Sequence, residues 1–105
     1  MKEITVQQLK DLKDNNKDFQ LIDVREEHEF DVSNLGGELI PLGTIIQNSE
    51  KISKDKQVII YCRSGARSAA AVSQLEKQFG YTNLYNLKGG ILAYANQIDP
   101  TLVKY

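Results

Sequence analysis

Gln57-Val58-Ile59-Ile60-Tyr61-Cys62-Arg63-Ser64-Gly65-Ala66-Arg67-Ser68 is the stretch on which the fold turns. Its first six residues put β-branched and aromatic side chains in series, which predicts a strand. The next six are short and polar around a glycine, which predicts a loop. Ala69 to Phe79 then carries Ala and long-chain residues throughout, with Gly80 placed to stop a helix. A strand, a tight loop and a helix in this order form the first half of a parallel crossover.

The rest of the chain repeats that alternation on both sides. Glu3-Ile4-Thr5 reads as a very short strand, and Thr5 with Gln8 three residues on fits a capping box. The helix it opens carries Val6, Leu9 and Leu12 on one stripe and dissolves at Asp14-Asn15-Asn16. Phe19 to Val24 predicts a strand apolar enough to be covered on both faces. Glu26 to Asp31 predicts a short helical turn, Leu39-Ile40-Pro41 a brief strand, and the stretch up to Lys54 some helix. Asn83 to Leu87 returns as a strand. Lys88-Gly89-Gly90 turns into a last helix with Ile91, Tyr94, Ala95 and Ile98 on one side, the two glycines supplying positive φ. Strand and helix alternating in this way define an α/β fold of three layers, helices on both faces of a parallel sheet.

The 105 residues suit one domain, taken here as 1–105, with no repeat, low-complexity tract or linker to divide it. Hydrophobic residues at 41% and charged residues at 26% exclude a disordered segment. A formal net charge of -1 gives no global attraction to nucleic acid or to an anionic membrane. The five Tyr residues are spaced as core and rim, with no stacking platform for bases. No apolar run approaches the roughly 20 residues of a membrane-spanning helix. The N-terminus lacks a secretory apolar region, so a cytoplasmic address is expected. One Cys and one His exclude both an internal disulfide and a zinc site, and no metal is expected.

The lone thiol is therefore either a small buried hydrophobe or a reactive group. Taken alone, Cys62 favours the first. Its surroundings reverse that. Open parallel sheets bind ligands beyond the carboxyl ends of their strands, where Cys62 lies. A helix start presents unpaired N–H groups, and Gly65 allows successive N–H groups to turn inward. Arg63 and Arg67 flank the thiol with no acid between Cys62 and Ser68, while Ser64 and Ser68 offer hydroxyls. Each influence favours the thiolate, so Cys62 is expected to titrate below the roughly 8.5 of a free thiol.

Cys62-Arg63-Ser64-Gly65-Ala66-Arg67-Ser68 resembles the active-site loop of the rhodaneses, sulfurtransferases that carry sulfane sulfur as a cysteine persulfide. Leu21-Ile22-Asp23-Val24-Arg25, with Glu26, Glu29 and Phe30, resembles the family's amino-terminal signature. Leu87-Lys88-Gly89-Gly90-Ile91 resembles its glycine pair, with Tyr94 where an aromatic, usually Trp, is expected. The resemblance runs from about Ile4 to Ile98. It implies a rhodanese-like fold with a five-stranded parallel sheet in the order 1-5-4-2-3. It also implies Cys62 as nucleophile, with Arg63, Ser64, Gly65, Ala66, Arg67 and Ser68 as the substrate-binding loop. Thiosulfate or a persulfide would be the donor, and cyanide, a thiol or a sulfur-carrier protein the acceptor, with no metal or organic cofactor. Arg63 and Arg67 would hold the donor's oxyanion, Arg67 having the alternative of pairing with an acid.

One segment departs from the family pattern. Ser33-Asn34-Leu35-Gly36-Gly37-Glu38 lacks the usual His and first Pro. Its wording, continued through Gly43, resembles rhodanese-like domains fused to adenylating enzymes, which points to sulfur delivery to a protein partner. A sulfur-carrier module is thus the alternative to a free-standing enzyme. A Cys-dependent phosphatase or arsenate-type reductase is the third reading. Phosphatases sharing this scaffold place Arg six positions after the nucleophile, whereas Arg67 stands five after Cys62.

Other polar residues have two readings each. Asp23 and Arg25 either reach the site from the neighbouring strand end or, more commonly for such a pair, tie loops together. His28, among Glu26, Glu27, Glu29 and Asp31, is either a base or a solvent-facing side chain, and the second is expected. The acidic run itself is expected to be a solvated face, with docking of a basic partner as its other use.

Overall fold

In the computed structural model, which describes residues 1–104, the central strand has an apolar row on each face. This strand, β4 (Gln57–Tyr61), sends Val58 and Ile60 to one side and Ile59 and Tyr61 to the other, because successive side chains of a strand alternate. Around it lie β1 (Glu3–Ile4), α1 (Val6–Asp14), β2 (Phe19–Asp23), α2 (Glu27–Val32) and β3 (Glu38–Leu39) on the amino-terminal side. α3 (Ala66–Phe79), β5 (Leu84–Leu87) and α4 (Gly90–Gln97) follow it. All pairings are parallel, in the order β1-β5-β4-β2-β3. This is the α/β architecture and the strand order implied by the resemblance.

Each face has its own core. Val58, Ile60 and Cys62 pack with Ile22, Val24 and Leu84 beneath Ala71, Val72 and Leu75 of α3. Ile59 and Tyr61 pack with Leu21 and Leu87 against Val6 and Leu9 of α1 and Ile91 and Tyr94 of α4. Sheet residues buried on both sides explain why β2 and β4 read as continuous apolar runs.

The predicted elements stand, with shifted ends. The Thr5–Gln8 capping box opens α1 as expected: the Thr5 hydroxyl accepts from the Gln8 N–H at 3.1 Å, and the Gln8 side chain accepts from the Thr5 N–H at 2.7 Å. The helical part of the segment before Lys54 consists of two short 3-10 turns, Leu42–Thr44 and Ser49–Lys51. The third strand is Glu38–Leu39, one residue ahead of the predicted start. The largest change bears on the site: α3 begins at Ala66, three residues before the predicted start. Gly65 has φ +108°, so it reverses the chain in one residue and the helix starts at once. Ala66, Arg67 and Ser68 are therefore the first turn of a helix and not part of a loop.

Candidate active site at the end of the central strand

β2 and β4 end level, Asp23 pairing in register with Tyr61, so the segments that leave these two strands meet above the sheet. Cys62 is the first residue beyond β4 and is buried. Its sulfur sits inside a turn of polar groups. The Gly65 N–H donates to Sγ at 3.1 Å and the Ser68 N–H at 3.4 Å, and the Ser68 hydroxyl oxygen lies 3.4 Å from Sγ. The Ser68 N–H belongs to the first turn of α3, where backbone donors have no partner within the helix. Arg63, Ser64 and Ala66 form the exposed rim.

A second helix start holds the turn from behind. The N–H groups of Ile91 and Leu92 in α4 donate to the carbonyls of Cys62 and Arg63 at 2.9 and 3.1 Å. Gly89 and Gly90 precede them with φ +80° and +60°, the positive values predicted for this pair. The approach is close: a Cβ on Gly90 would stand 2.5 Å from the carbonyl oxygens of both Cys62 and Arg63.

Burial pushes the Cys62 thiol toward its neutral form. The Ser68 hydroxyl and the N–H groups of Ser68, Gly65 and Ser64 outweigh that penalty and hold its pKa below the ordinary thiol value. The expected direction is right, and the helix start, the Gly65 turn and Ser68 act as expected; only the part assigned to Arg67 is corrected. Hydrogen-bond donors surround the sulfur, whereas the Arg67 guanidinium is turned to an acid. Its two terminal nitrogens donate to the carboxylate oxygens of Glu29 at 2.7 and 2.9 Å. Of the two uses expected for Arg67, the structure contains the acid pairing. The same bonds hold the Glu29 carboxyl down to about 2, against the burial that would raise it.

The acidic run is corrected with it. Glu26, Glu27, His28 and Asp31 are exposed as expected, but Glu29 is buried and ion-paired. Asp23 and Arg25 are buried together: the Asp23 carboxylate receives the Arg25 Nε and Nη2 groups at 3.0 and 2.7 Å. Arg25 also donates to the carbonyl oxygen of Ser33 at 2.6 Å, tying the end of β2 to the segment after α2. Arg67 likewise links α3 to α2 through Glu29. The segment without the family's His and Pro is fastened from below by Tyr61. Its hydroxyl accepts from the Leu35 N–H at 3.0 Å and donates to the Gly36 carbonyl at 3.1 Å.

Sequence reasoning singled out neither Tyr61 nor Asn86 as part of this assembly. Asn86 lies in β5 opposite Ile60, on the face that carries Cys62, and it is buried. It receives a hydrogen bond from Ser68 and donates one to the Gly65 carbonyl. A polar side chain in the apolar row of a covered strand was the available signal, since such a group needs buried partners.

A parallel sheet with one thiol ringed by N–H donors at the end of its central strand defines a class of α/β domain built around a single cysteine. The family model of the rhodanese-like domain matches residues 5–97, and the chain belongs to that family. A crystal structure of a rhodanese-like domain protein from Staphylococcus aureus is similar at TM-score 0.83 and 32% identity, covering 100% of this chain and 99% of that one. A protein named sulfurtransferase from Allochromatium vinosum is 40% identical over 82 residues, 77% of this chain and 76% of its own length. The probable adenylyltransferase/sulfurtransferase MoeZ of Mycobacterium tuberculosis is 37% identical over 106 residues, covering 97% of this chain. The chain spans only 26% of that relative's length. Among the described residues, no helix is long and apolar enough to cross a membrane.

Proposed function

We propose that this domain is a sulfurtransferase that carries sulfane sulfur on Cys62. The observation that carries the reading is the ring of donors on Sγ, the N–H groups of Gly65 and Ser68 with the Ser68 hydroxyl beside them. Such a ring stabilises negative charge on sulfur before reaction, and the same groups remain to meet the charge on a terminal sulfur afterwards.

With thiosulfate as donor, the Cys62 thiolate attacks the outer sulfur. A new S–S bond forms, the donor's S–S bond breaks, and its electron pair leaves with sulfite. The product is a Cys62 persulfide with one negative charge. An acceptor thiolate or cyanide then attacks the outer sulfur and returns Cys62 as thiolate. Ser64 and Ala66 supply the rim of the turn, buried Gly65 donates to the sulfur within it, and exposed Arg63 meets the donor's sulfonate oxygens. Arg67 acts through Glu29 to fix α3, while Asp23 and Arg25 support the site from β2. No cofactor enters either step. A sulfur-carrier protein or another protein thiol is the favoured acceptor, a view supported by the names of the relatives with an adenylyltransferase portion.

Intact-mass measurement after incubation with thiosulfate tests the reading. The wild type is expected to gain one sulfur atom, which a thiol reductant or cyanide removes, and Cys62→Ser is expected to gain none. A Cys62→Ser protein with the same adduct overturns the assignment.

A further inference from the structure

Among the described residues Asn86 is the one buried side-chain amide in contact with the thiol turn, and the orientation of its two ends follows from its neighbours. On one side lies the Gly65 carbonyl, 3.2 Å from Nδ2, which can only accept a hydrogen bond. The amide nitrogen must therefore face it. That leaves Oδ1, which also can only accept, pointing at the Ser68 hydroxyl 2.5 Å away. Ser68 has a single proton, and it lies on Asn86. Toward Cys62, 3.4 Å away, the Ser68 oxygen then presents a lone pair. In this arrangement Ser68 receives the proton of the neutral thiol and does not donate to the sulfur.

We propose that Asn86 is a positioning residue that competes with the Cys62 sulfur for the Ser68 proton. When the thiol loses its proton to water, the sulfur needs donors. The N–H groups of Gly65 and Ser68 are already in place, and the Ser68 O–H becomes a third by swinging from Oδ1 to Sγ. Asn86 thus keeps the hydroxyl as an acceptor for the thiol and releases it when charge develops, while its Nδ2 holds the turn at Gly65. This inference rests on Cys62 being the reacting group but requires no particular sulfur donor.

Charged groups also surround the turn. Arg63 and Arg67 lie on its own segment, Glu29 comes from α2, Asp23 and Arg25 from the end of β2, and Lys88 precedes α4. None is altered by the substitutions that test the idea.

The test is the pH profile of Cys62 alkylation by iodoacetamide in four proteins: wild type, Asn86→Leu, Ser68→Ala and the double variant. Circular dichroism establishes that each is folded. Asn86→Leu keeps the size of the side chain and removes the competing carbonyl, so Ser68 is free to donate to sulfur. Its inflection is expected at lower pH than wild type, with alkylation about 3- to 10-fold faster below the wild-type inflection, the worth of the neutral Ser68–Asn86 hydrogen bond that no longer has to be given up. Ser68→Ala removes the donor and is expected to move the inflection to higher pH. In the double variant the inflection is expected to coincide with that of Ser68→Ala, because Asn86 has no route to the sulfur without the hydroxyl.

Additive shifts in the double variant, or a higher inflection in folded Asn86→Leu, overturn the proposal. Either result shows that Asn86 merely supports the turn. If Asn86→Leu does not fold, the smaller Asn86→Ala carries the same expectations. Sulfur loading from thiosulfate is scored separately. Its absence from wild type would refute the sulfurtransferase reading and leave the alkylation result standing.

Discussion

Glu29 is a carboxylate in a buried position, and it is charged there because Arg67 meets it with two bonds, at 2.7 and 2.9 Å. The pairing, with help from the Glu26 N–H and against the cost of burial, lowers the carboxyl from the ordinary 4.5 to about 2. A carboxyl depressed in the folded state stabilises the protein above its unfolded value, near pH 4.5. That contribution is lost as pH falls through about 2. The Arg67 side chain is 36% exposed, so solvent screens the pair and about 1–2 kcal/mol is the expected worth. Glu29→Gln is thus predicted to lose about 1–2 kcal/mol at pH 7, a gap that closes between pH 4.5 and 2. Urea titrations across that range measure it. A gap constant with pH would assign the loss to packing and not to charge. Cys62 was legible because glycine, arginine and serine cluster around it in sequence. The partner of Arg67 was not, because 38 positions separate the pair and an acidic run before a short helix looks solvated until the fold closes over it.

The turn around Cys62 is made by two helix starts facing one another. α3 brings the Ser68 N–H to the sulfur, and α4 brings the Ile91 and Leu92 N–H groups to the carbonyls behind it. Gly90 joins these elements, and two demands fall on it together. Its φ of +60° disfavours any side chain by about 1–2 kcal/mol. A Cβ would also press on the backbone oxygens of Cys62 and Arg63 at 2.5 Å, which displaces the turn. Overpacking of that kind costs about 1–3 kcal/mol, so Gly90→Ala is predicted to destabilise by about 2–5 kcal/mol and to impair sulfur loading. Gly36 is the control: φ is +86° there, and a Cβ would meet nothing within 4 Å. Gly36→Ala is expected to cost only the backbone share, about 1–2 kcal/mol, and to load sulfur normally. Thermal unfolding with intact-mass loading compares them. Equal losses in both properties would remove close approach as the reason for Gly90. Positive φ at the Gly89-Gly90 pair was readable from the sequence, but its contact with Cys62 depends on β4 and β5 lying side by side. The early start of α3 escaped notice for a related reason. Ser68 looks like a helix cap on polarity alone, whereas Gly65 makes the reversal and Ser68 is drawn inside.

Over the molecule as a whole, charge is nearly balanced, with 13 Lys and Arg against 14 Asp and Glu. The layers were readable from alternating patterns, while the order of strands came through resemblance, because apolar runs do not state their neighbours. Charge balance has a consequence for the proposed reaction: the protein exerts no long-range pull on a dianionic donor, and attraction must come from cations at the site. Arg67 is committed to Glu29, and exposed Arg63 adjoins Cys62 directly. At an ionic strength of 0.15 M, screening acts over about 8 Å, so a rim cation steers the donor only at short range. Replacing Arg63 with Gln is predicted to lower kcat/KM for thiosulfate about 3- to 10-fold with little change in stability, as expected for an exposed side chain. It should also flatten the fall of kcat/KM with added potassium chloride that is expected of the wild type. Steady-state assays from low to physiological salt, with thermal unfolding of both proteins alongside, decide the point. If wild type and Arg63→Gln share one salt dependence, Arg63 does not draw the donor in, and the dianion must be received by the N–H groups of the turn or by exposed Lys88.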